Sequence, residues 1–325
     1  MSSGRGLFEV AVEKMRTRHF AYRTEKAYLS WIRRYVKFHK RRHAREMGAA
    51  EVESFLSHLA VDSHVSASTQ NQALQALLFL YQRVLEIDLP WLENVTRARR
   101  PKRLPVVLTV AEVRAVLAQL DGTAWLVANL LYGSGLRLME ALRLRVKDLV
   151  LQRSEIIVRD AKGGKDRVTV LPTSILNPLG MHLTKLRLRF DQQRKSGEPG
   201  VSLPNALALK YPTYATQWGW QYVFTASSLC TDHYSGRPVR HHVHEKSIQR
   251  AVQIAIRKAG IIQPASCYTF RHCFATHLLG AGYDIRTIQE LMGHADIRAT
   301  MLYTHVLGKG ALGVKSPLDR PIGTI

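Results

Sequence analysis

Apolar residues recur at three- and four-residue steps through the first 90 positions, the spacing that places them on one face of an α-helix. Four segments follow this pattern: residues 7–15, 24–40, 49–59 and 68–85. In the second segment Tyr28, Ile32 and Tyr35 form the apolar stripe, and Arg33 and Arg34 accompany it as basic residues. The pattern predicts a small helical bundle with a cationic face.

A different period appears between residues 155 and 172. Runs rich in valine and isoleucine flank the turn sequence AKGGKD, which predicts a β-hairpin with Lys162 and Lys165 at its tip. Helical spacing surrounds the hairpin, near residues 109–120, 125–132, 137–144, 172–194, 246–259, 269–279 and 285–292, and in a short last helix that carries Tyr303. The predicted fold class is mainly α with a small β-hairpin or sheet.

These elements fall into two predicted domains, a helical one at residues 1–93 and a larger one at residues 107–325. The segment between them, residues 94–106, contains five Arg or Lys residues, including Arg100, together with two prolines. This composition is typical of an extended basic linker that wraps around a duplex, and equally of an ordinary exposed linker.

Charge narrows the choice of partner. The 325-residue chain has 47 Lys and Arg against 25 Asp and Glu, a formal net charge of +22 spread along its length. Such an excess predicts a polyanionic partner, although a ribosomal or membrane-surface protein shares it. If the polyanion is DNA, we expect Arg33, Arg34, Arg100 and Lys165 among its contacts.

Compartment signals are few. The first residues lack a signal-peptide pattern, and no apolar run approaches the roughly 20 residues needed to cross a bilayer, so we expect no membrane partner. Three cysteines, an odd number in a long chain, predict free thiols in a reducing cytoplasm.

Four motifs carry side chains suited to phosphodiester chemistry: GSGLR at 133–137, FRHCFATHLL at 270–279, LMGH at 291–294 and YTHV at 303–306. Breaking a phosphodiester requires neutralised charge, a nucleophile and an acid for the leaving oxygen. Arg137 and Arg271 suit the first task because guanidinium stays charged and binds phosphate bidentately. Tyr303 suits the second. Glu140 is expected to support Arg137 through a salt bridge, or to be a surface carboxylate.

In this order, with the N-terminal bundle and the two-lysine hairpin, the motifs resemble the tyrosine recombinases, or phage-type integrases, over nearly the whole chain. The resemblance implies a two-domain, C-shaped DNA clamp in which Tyr303 forms a 3′-phosphotyrosyl intermediate without metal, ATP or another cofactor. It implies that Lys162 protonates the leaving 5′-oxygen, with Lys165 as the alternative acid. His294 is expected to bind the phosphate or to orient the nucleophile.

One position departs from the family pattern. The family usually has His three residues before the second arginine, whereas this chain has Tyr268. A phenol donates a neutral hydrogen bond to phosphate but, unlike imidazole, is not cationic at pH 7. We therefore expect reduced but not abolished strand cleavage, and a higher rate for Tyr268→His; a flat or lower rate would contradict this.

Residues at about 200–245 resemble the insert that distinguishes integron integrases. That resemblance implies recognition of folded single-stranded cassette hairpins, whose protruding bases stack in protein pockets, as well as of a duplex site. The side chains with suitable faces are Trp218, Trp220, Tyr222, His241 and His242, and packing in the core is the alternative for the tryptophans. The tail at 307–325 is expected to dock onto a neighbouring protomer in a tetramer on DNA, or else to pack against its own chain.

Three functional classes remain open. The favoured one is an integron integrase that integrates and excises gene cassettes in the bacterial cytoplasm, at the nucleoid. The second is a catalytically weakened or inactive DNA-binding homologue, with Tyr268 as its sign. The third is a type IB topoisomerase-like enzyme that relaxes supercoils as a monomer, against which the integron-like insert argues.

Overall fold

The computed structural model describes residues 6–88, 105–159, 166–233 and 235–306. The chain divides into two compact units, Met1–Arg103 and Leu104–Ile325. Most of the predicted linker, with Arg100, lies outside the described residues, as do both hairpin lysines and the predicted tail. The domain boundaries at 93 and 107 therefore remain predictions.

The described part of the first unit forms four α-helices: α1 (Leu7–Thr17), α2 (Tyr22–Phe38), α3 (Ala49–Val61) and α4 (Ala67–Phe79). A π-helical turn at Leu80–Leu85 continues α4. The core between these helices contains Ile32 and Tyr35, which are fully buried, and the hydroxyls of Tyr35 and Tyr81 share a 2.7 Å hydrogen bond. The helical bundle predicted from the apolar stripes is present.

The described part of the second unit contains nine α-helices. They are α5 (Val110–Leu117), α6 (Gly122–Gly133), α7 (Leu138–Arg143), α8 (Leu176–Lys195), α9 (Asn205–Lys210), α10 (Glu245–Lys258), α11 (Cys267–Gly280), α12 (Ile285–Met292) and α13 (Arg298–Val306). The helices α6 and α11 pack against each other in the core, where Leu130, Leu131 and Cys273 are fully buried.

Two small antiparallel sheets complete the second unit. The strands β1 (Leu149–Val150), β2 (Glu155–Val158) and β3 (Arg167–Val170) form one sheet, and β4 (Thr225–Thr231) pairs with β5 (Pro238–His242) in the other. The β2–β3 hairpin is the predicted one, whereas β4 and β5 were not predicted. The fold class, mainly α with small antiparallel sheets, is confirmed. Of the helices in the described ranges, none is long and apolar enough to cross a membrane.

Candidate active site

A tight turn places Arg137 at the N-cap of α7. Gly135 has a φ of +63°, and a Cβ at this position would lie 2.4 Å from the Phe274 ring, so the turn requires glycine. The Arg137 backbone N–H donates to Glu140 over 2.9 Å, and its Nη1 donates over 2.6 Å. The predicted salt bridge is therefore present, and it leaves 27% of the Arg137 side chain exposed.

Glu140 lies at the junction of three guanidinium groups. Arg167, from β3, donates to its two oxygens over 2.7 and 3.1 Å, and Nη1 of Arg271 lies 3.7 Å away. Burial favours a raised pKa for Glu140, but the hydrogen bond and charge of Arg167, with the bonds from Arg137, lower this pKa to about 2. Glu140 is therefore ionised at neutral pH and holds the three cations together.

Arg271 enters this cluster from the buried helix α11. Its side chain is 1% exposed, and its two Nη atoms donate to the backbone carbonyls of Gly135 and Met292. Burial, and then the charge of Arg137, lower the Arg271 pKa to about 10, so the group stays cationic at pH 7. Its Nε has no hydrogen-bond partner among the described residues. Leaving such a buried donor unpaired is costly.

The end of α12 presents His294. Gly293 closes the helix with a φ of +60°, and His294 Nε2 then lies 3.2 Å from Nη2 of Arg271. Because a guanidinium only donates, Nε2 accepts, and the proton of the neutral ring lies on Nδ1, which donates to Thr300 Oγ1 over 2.8 Å. Burial, followed by the charges of Arg271 and Arg137, lowers the His294 pKa to about 4. His294 is therefore a neutral, fully engaged imidazole.

Tyr303 points into the same cluster from α13. Its side chain is 2% exposed, and its ring stacks at 6.3 Å from that of His294. The hydroxyl lies 3.0 Å from Nδ1 of His272. Burial, and then Tyr268, raise the Tyr303 pKa to about 12, although the charges of Arg271 and a second arginine oppose the rise. The phenol is therefore protonated at neutral pH and must lose its proton before it can attack.

Tyr268 occupies the first turn of α11. Its side chain is 56% exposed, and its ring meets that of His272 edge-on at 4.3 Å between centroids. The structure therefore brings the residue that departs from the family pattern to the edge of the cluster, next to the imidazole that contacts Tyr303.

The described cluster has two of the three things that transfer of a phosphodiester requires, charge neutralisation and a nucleophile. Two cationic guanidiniums, those of Arg137 and Arg271, lie beside a neutral imidazole and a protonated phenol. Lys162 and Lys165, the candidate acids, lie outside the described residues. No group of three His, Cys, Asp or Glu side chains in the described ranges is arranged to hold a metal ion.

The insert carries a ladder of three aromatic rings. The rings of Tyr211 and Tyr214 stack at 4.8 Å, and those of Tyr214 and Trp220 at 5.3 Å. Lys147 extends the ladder, with its Nζ 3.0 Å from the Trp220 ring centroid. The buried Arg145 fastens the insert to the unit through a 2.6 Å bond to the Trp220 carbonyl. With Lys147 included, the ladder consists of three aromatic side chains and one cation.

The other predicted readout residues are not part of this ladder, and Tyr222 among them is 5% exposed and accepts from Arg145 over 3.1 Å, so it presents no face to a base. Trp218 packs on Phe190 of α8 at 5.5 Å, which agrees with the packing alternative. His241 is half-buried, whereas His242 is 6% exposed and lies 2.8 Å from the carbonyl of Val243. Burial lowers the His242 pKa to about 4. His242 therefore faces the interior in this conformation and presents no face to a base.

The predicted cationic face of the first unit is present on α2. Arg33 and Arg34 are exposed, and their guanidiniums lie 5.1 Å from the Phe8 ring and 4.2 Å from the Trp31 ring. These aromatic supports limit the directions in which the two arginines point.

Sequence reasoning missed five residues of these sites: Arg167, His272, Lys147, Tyr211 and Tyr214. Arg167 could have been noticed because it is a cation at the start of a strand that otherwise consists of β-branched residues. His272 directly follows Arg271 in its motif, yet adjacency in a helix gives no sign that it contacts Tyr303, 31 residues away. Nothing in the sequence placed Lys147 against the insert, because that contact depends on the tertiary fold.

Comparisons with known proteins agree with this arrangement. Residues 7–91 match the N-terminal SAM-like domain of phage integrases, and residues 107–309 match the phage integrase family. Integrase/recombinase proteins from Escherichia coli and Pseudomonas aeruginosa are each 49% identical to this chain over 307 residues, which cover 94% of it and 91% of theirs. Tyrosine recombinase XerA of Thermococcus kodakarensis is 29% identical, with 87% and 84% covered.

Solved structures share the fold. The XerH site-specific recombinase bound to palindromic difH substrate has a TM-score of 0.64 at 17% identity, with 98% of this chain and 86% of that chain covered. The Tn1549 transposon integrase in complex with circular intermediate DNA has a TM-score of 0.57 at 17% identity, with 91% and 94% covered. From its matched domains and its relatives, the chain belongs to the phage integrase family of tyrosine recombinases, and it is a DNA integrase/recombinase enzyme.

Proposed function

We propose that this enzyme is a site-specific recombinase of the integron integrase type, which integrates and excises gene cassettes. The observation that carries the proposal is the meeting of Arg137, Arg271, His294 and Tyr303, from four separate motifs, in one cluster. Solved relatives with this fold are bound to DNA, which supports DNA as the polyanion expected from the net charge of +22.

In the proposed reaction Arg137 and Arg271 hold the scissile phosphate and neutralise the charge of its transition state. Oη of Tyr303 attacks phosphorus, the bond from phosphorus to the 5′-oxygen breaks, and a 3′-phosphotyrosyl link forms. A 5′-hydroxyl from another strand then attacks this link and releases the phenol. The link keeps the energy of the broken phosphodiester, so rejoining needs no separate energy source.

The leaving 5′-oxygen requires a proton. We assign this role to Lys162 and keep Lys165 as the alternative, because both belong to the hairpin tip between β2 and β3. His294 accepts from Arg271 and thereby fixes the guanidinium that binds the phosphate. Tyr268, at the exposed edge of the cluster, donates a neutral hydrogen bond to a phosphate oxygen.

The integron-specific part of the proposal depends on the insert. Tyr211, Tyr214, Trp220 and Lys147 form a stacked ladder with a cation at one end, the combination that binds unpaired bases irrespective of sequence. We propose that this ladder and His241 receive the protruding bases of cassette hairpins. His242 packs against the ring of His241, and Trp218 packs on α8.

We further propose a tetramer on DNA, in which residues 307–325 of each protomer dock onto a neighbour. The supporting observation is indirect: the helix that carries the nucleophile leads directly into this segment. Such exchange predicts assembly that depends on protein concentration and occurs only when DNA is present.

Covalent trapping tests the proposed function. The protein is incubated with end-labelled, nicked substrates, whose short leaving strand diffuses away, and adducts are separated on a denaturing gel. Three substrates are compared: a hairpin with protruding bases, the same hairpin fully paired, and a duplex. We expect wild type to form an adduct and Tyr303→Phe to form none. The control Tyr283→Phe should keep the adduct; it alters a tyrosine that is 56% exposed, as Tyr268 is.

The substrates separate the functional classes. A stronger adduct on the hairpin with protruding bases supports the integron type, whereas equal adducts on both hairpins support a recombinase without that readout. Tight hairpin binding without any adduct supports the inactive homologue. Relaxation of a supercoiled plasmid by monomeric protein supports the topoisomerase-like class.

A further inference from the structure

The imidazole of His272 contacts the nucleophile itself. Its Nδ1 lies 3.0 Å from the Tyr303 hydroxyl, and the two rings are 5.5 Å apart. His272 is 9% exposed and lies on α11, the largely buried helix that also carries Arg271. The contact therefore joins the nucleophile to the most buried part of the cluster.

Among the described residues, no other side chain near Tyr303 has a free basic atom for the phenol proton. Nε2 of His294 already accepts a hydrogen bond from Arg271, and its protonated Nδ1 donates one to Thr300. Tyr268 offers only a phenol hydroxyl, which is not a proton acceptor of the kind that imidazole is. His272 is the imidazole with a hydrogen bond to the reacting oxygen.

We propose that His272 is the catalytic base that takes the proton of Tyr303 during strand cleavage. The inference rests on the proposed function, because it assigns a proton acceptor to the reaction in which Tyr303 attacks a phosphodiester. It also gives the reaction a proton acceptor in a chain that has Tyr268 in the position where the family usually has histidine.

The proton balance is simple. His272 begins neutral, with its proton on Nε2 and the Nδ1 lone pair directed at the Tyr303 hydroxyl. As Oη bonds to phosphorus, the O–H bond breaks and a new N–H bond forms at Nδ1. The leaving 5′-oxygen takes a separate proton from the lysine at the hairpin tip. In rejoining, the attacking 5′-hydroxyl loses its proton to that lysine, and His272 returns the first proton to the departing phenol.

The surroundings of His272 keep it neutral at rest. Among the described residues, the titratable and charged groups that bear on it are Arg271 and Tyr268 on its own helix, Tyr303 on α13, and His294 in the loop after α12. Burial, and then the charge of Arg271, lower the His272 pKa to about 4. The base is therefore available throughout the neutral range, and the anionic phosphate stabilises the imidazolium once it forms.

The test compares adduct formation by wild type and His272→Asn from pH 6.5 to 9.5. Asparagine places an amide oxygen near Nδ1, so it accepts the hydrogen bond without accepting the proton. We expect the variant to be slower at pH 7 by about 10²- to 10⁴-fold, the usual contribution of a general base. Without a base, attack requires prior ionisation of the Tyr303 phenol, whose pKa is about 12. As long as the pH stays below that value, the rate deficit of the variant should therefore shrink about tenfold for each pH unit gained.

The matched control is His277→Asn. This histidine lies on the same helix and also bonds a tyrosine hydroxyl, that of Tyr132, over 2.9 Å. Its replacement should leave the shape of the pH profile unchanged. Hairpin binding and thermal unfolding of each variant show whether it is folded, and His272→Gln provides a second amide if His272→Asn is not.

Several results would overturn the proposal. A deficit that is constant with pH means that His272 only positions Tyr303, and a faster variant means that the contact restrains the nucleophile. A wild-type rate proportional to hydroxide over the whole range excludes a neutral base without any variant. If wild type forms no adduct that depends on Tyr303, the proposed function fails together with this inference. If the adduct depends on Tyr303 but His272→Asn has the same pH profile as wild type, only this inference fails.

Discussion

At the scale of residues, one carboxylate organises the cations of the site. Glu140 bonds Arg137 three positions earlier and Arg167 from a neighbouring strand, and it lies 3.7 Å from Arg271. The pair with Arg137 was predictable because the N-cap and the third helical residue of a helix lie close together. The pair with Arg167 was not, because it depends on where the β-hairpin packs against α7.

Glu140→Gln should loosen this cluster in a manner that depends on pH. The folded-state pKa of Glu140, about 2, lies below its ordinary value, so its charge stabilises the fold above about pH 4.5 and loses this effect as pH falls towards 2. We expect the variant to lower the free energy of unfolding by about 3 kcal/mol at pH 7. Denaturant titrations of both proteins between pH 7 and 3 measure this difference, and one that does not shrink on acidification would contradict the account.

At the scale of elements, the signals at helix ends decided what could be predicted. The predicted bounds of α12, residues 285–292, are those observed, because Asp284 caps its start by accepting from the Thr287 N–H over 2.9 Å and Gly293 closes it. The strands β4 and β5 were missed because β4 is largely exposed, so burial imposes no alternation of apolar and polar residues on it.

Gly293→Ala should impair cleavage by disturbing the end of α12. The residue has a φ of +60°, and an added Cβ would lie 2.8 Å from Cδ of Arg167, so backbone strain combines with displacement of a cation of the cluster. Gly282→Ala is the matched control, with a φ of +93° and open space around it. Both changes should cost about 1–2 kcal/mol of stability, measured by denaturant unfolding, and only Gly293→Ala should also slow adduct formation. Equal cleavage rates would argue against this role of the helix end.

At the scale of the whole molecule, composition indicated the class of partner better than it indicated the contacts. The excess of 22 positive charges predicts a polyanion, but it cannot show which cations touch phosphate. The structure narrows the choice in the first unit, where aromatic rings support Arg33 and Arg34, while Lys14 is already paired with Glu86 over 2.8 Å. The insert illustrates the same limit, because its ladder needs Lys147 from outside the segment that resembles integron integrases.

DNA binding should therefore weaken steeply with salt. Each phosphate contact contributes about 0.9 to the slope of log K against log salt concentration for a duplex. We expect the double variant Arg33→Gln, Arg34→Gln to reduce that slope by about 2, and Lys14→Gln, whose charge is already balanced, to leave it nearly unchanged. Fluorescence anisotropy with a labelled duplex at several salt concentrations measures the slopes. Identical slopes for all three proteins would place the DNA contacts elsewhere.

The central claim is that Tyr303, within the cluster built around Arg137 and Arg271, is the residue that joins to DNA. The most direct measurement is to digest the trapped adduct with protease and nuclease and to locate the attached nucleotide by mass spectrometry. The account predicts a nucleotide on the peptide that contains Tyr303. A nucleotide on the exposed Tyr268, or on any other residue, would contradict it.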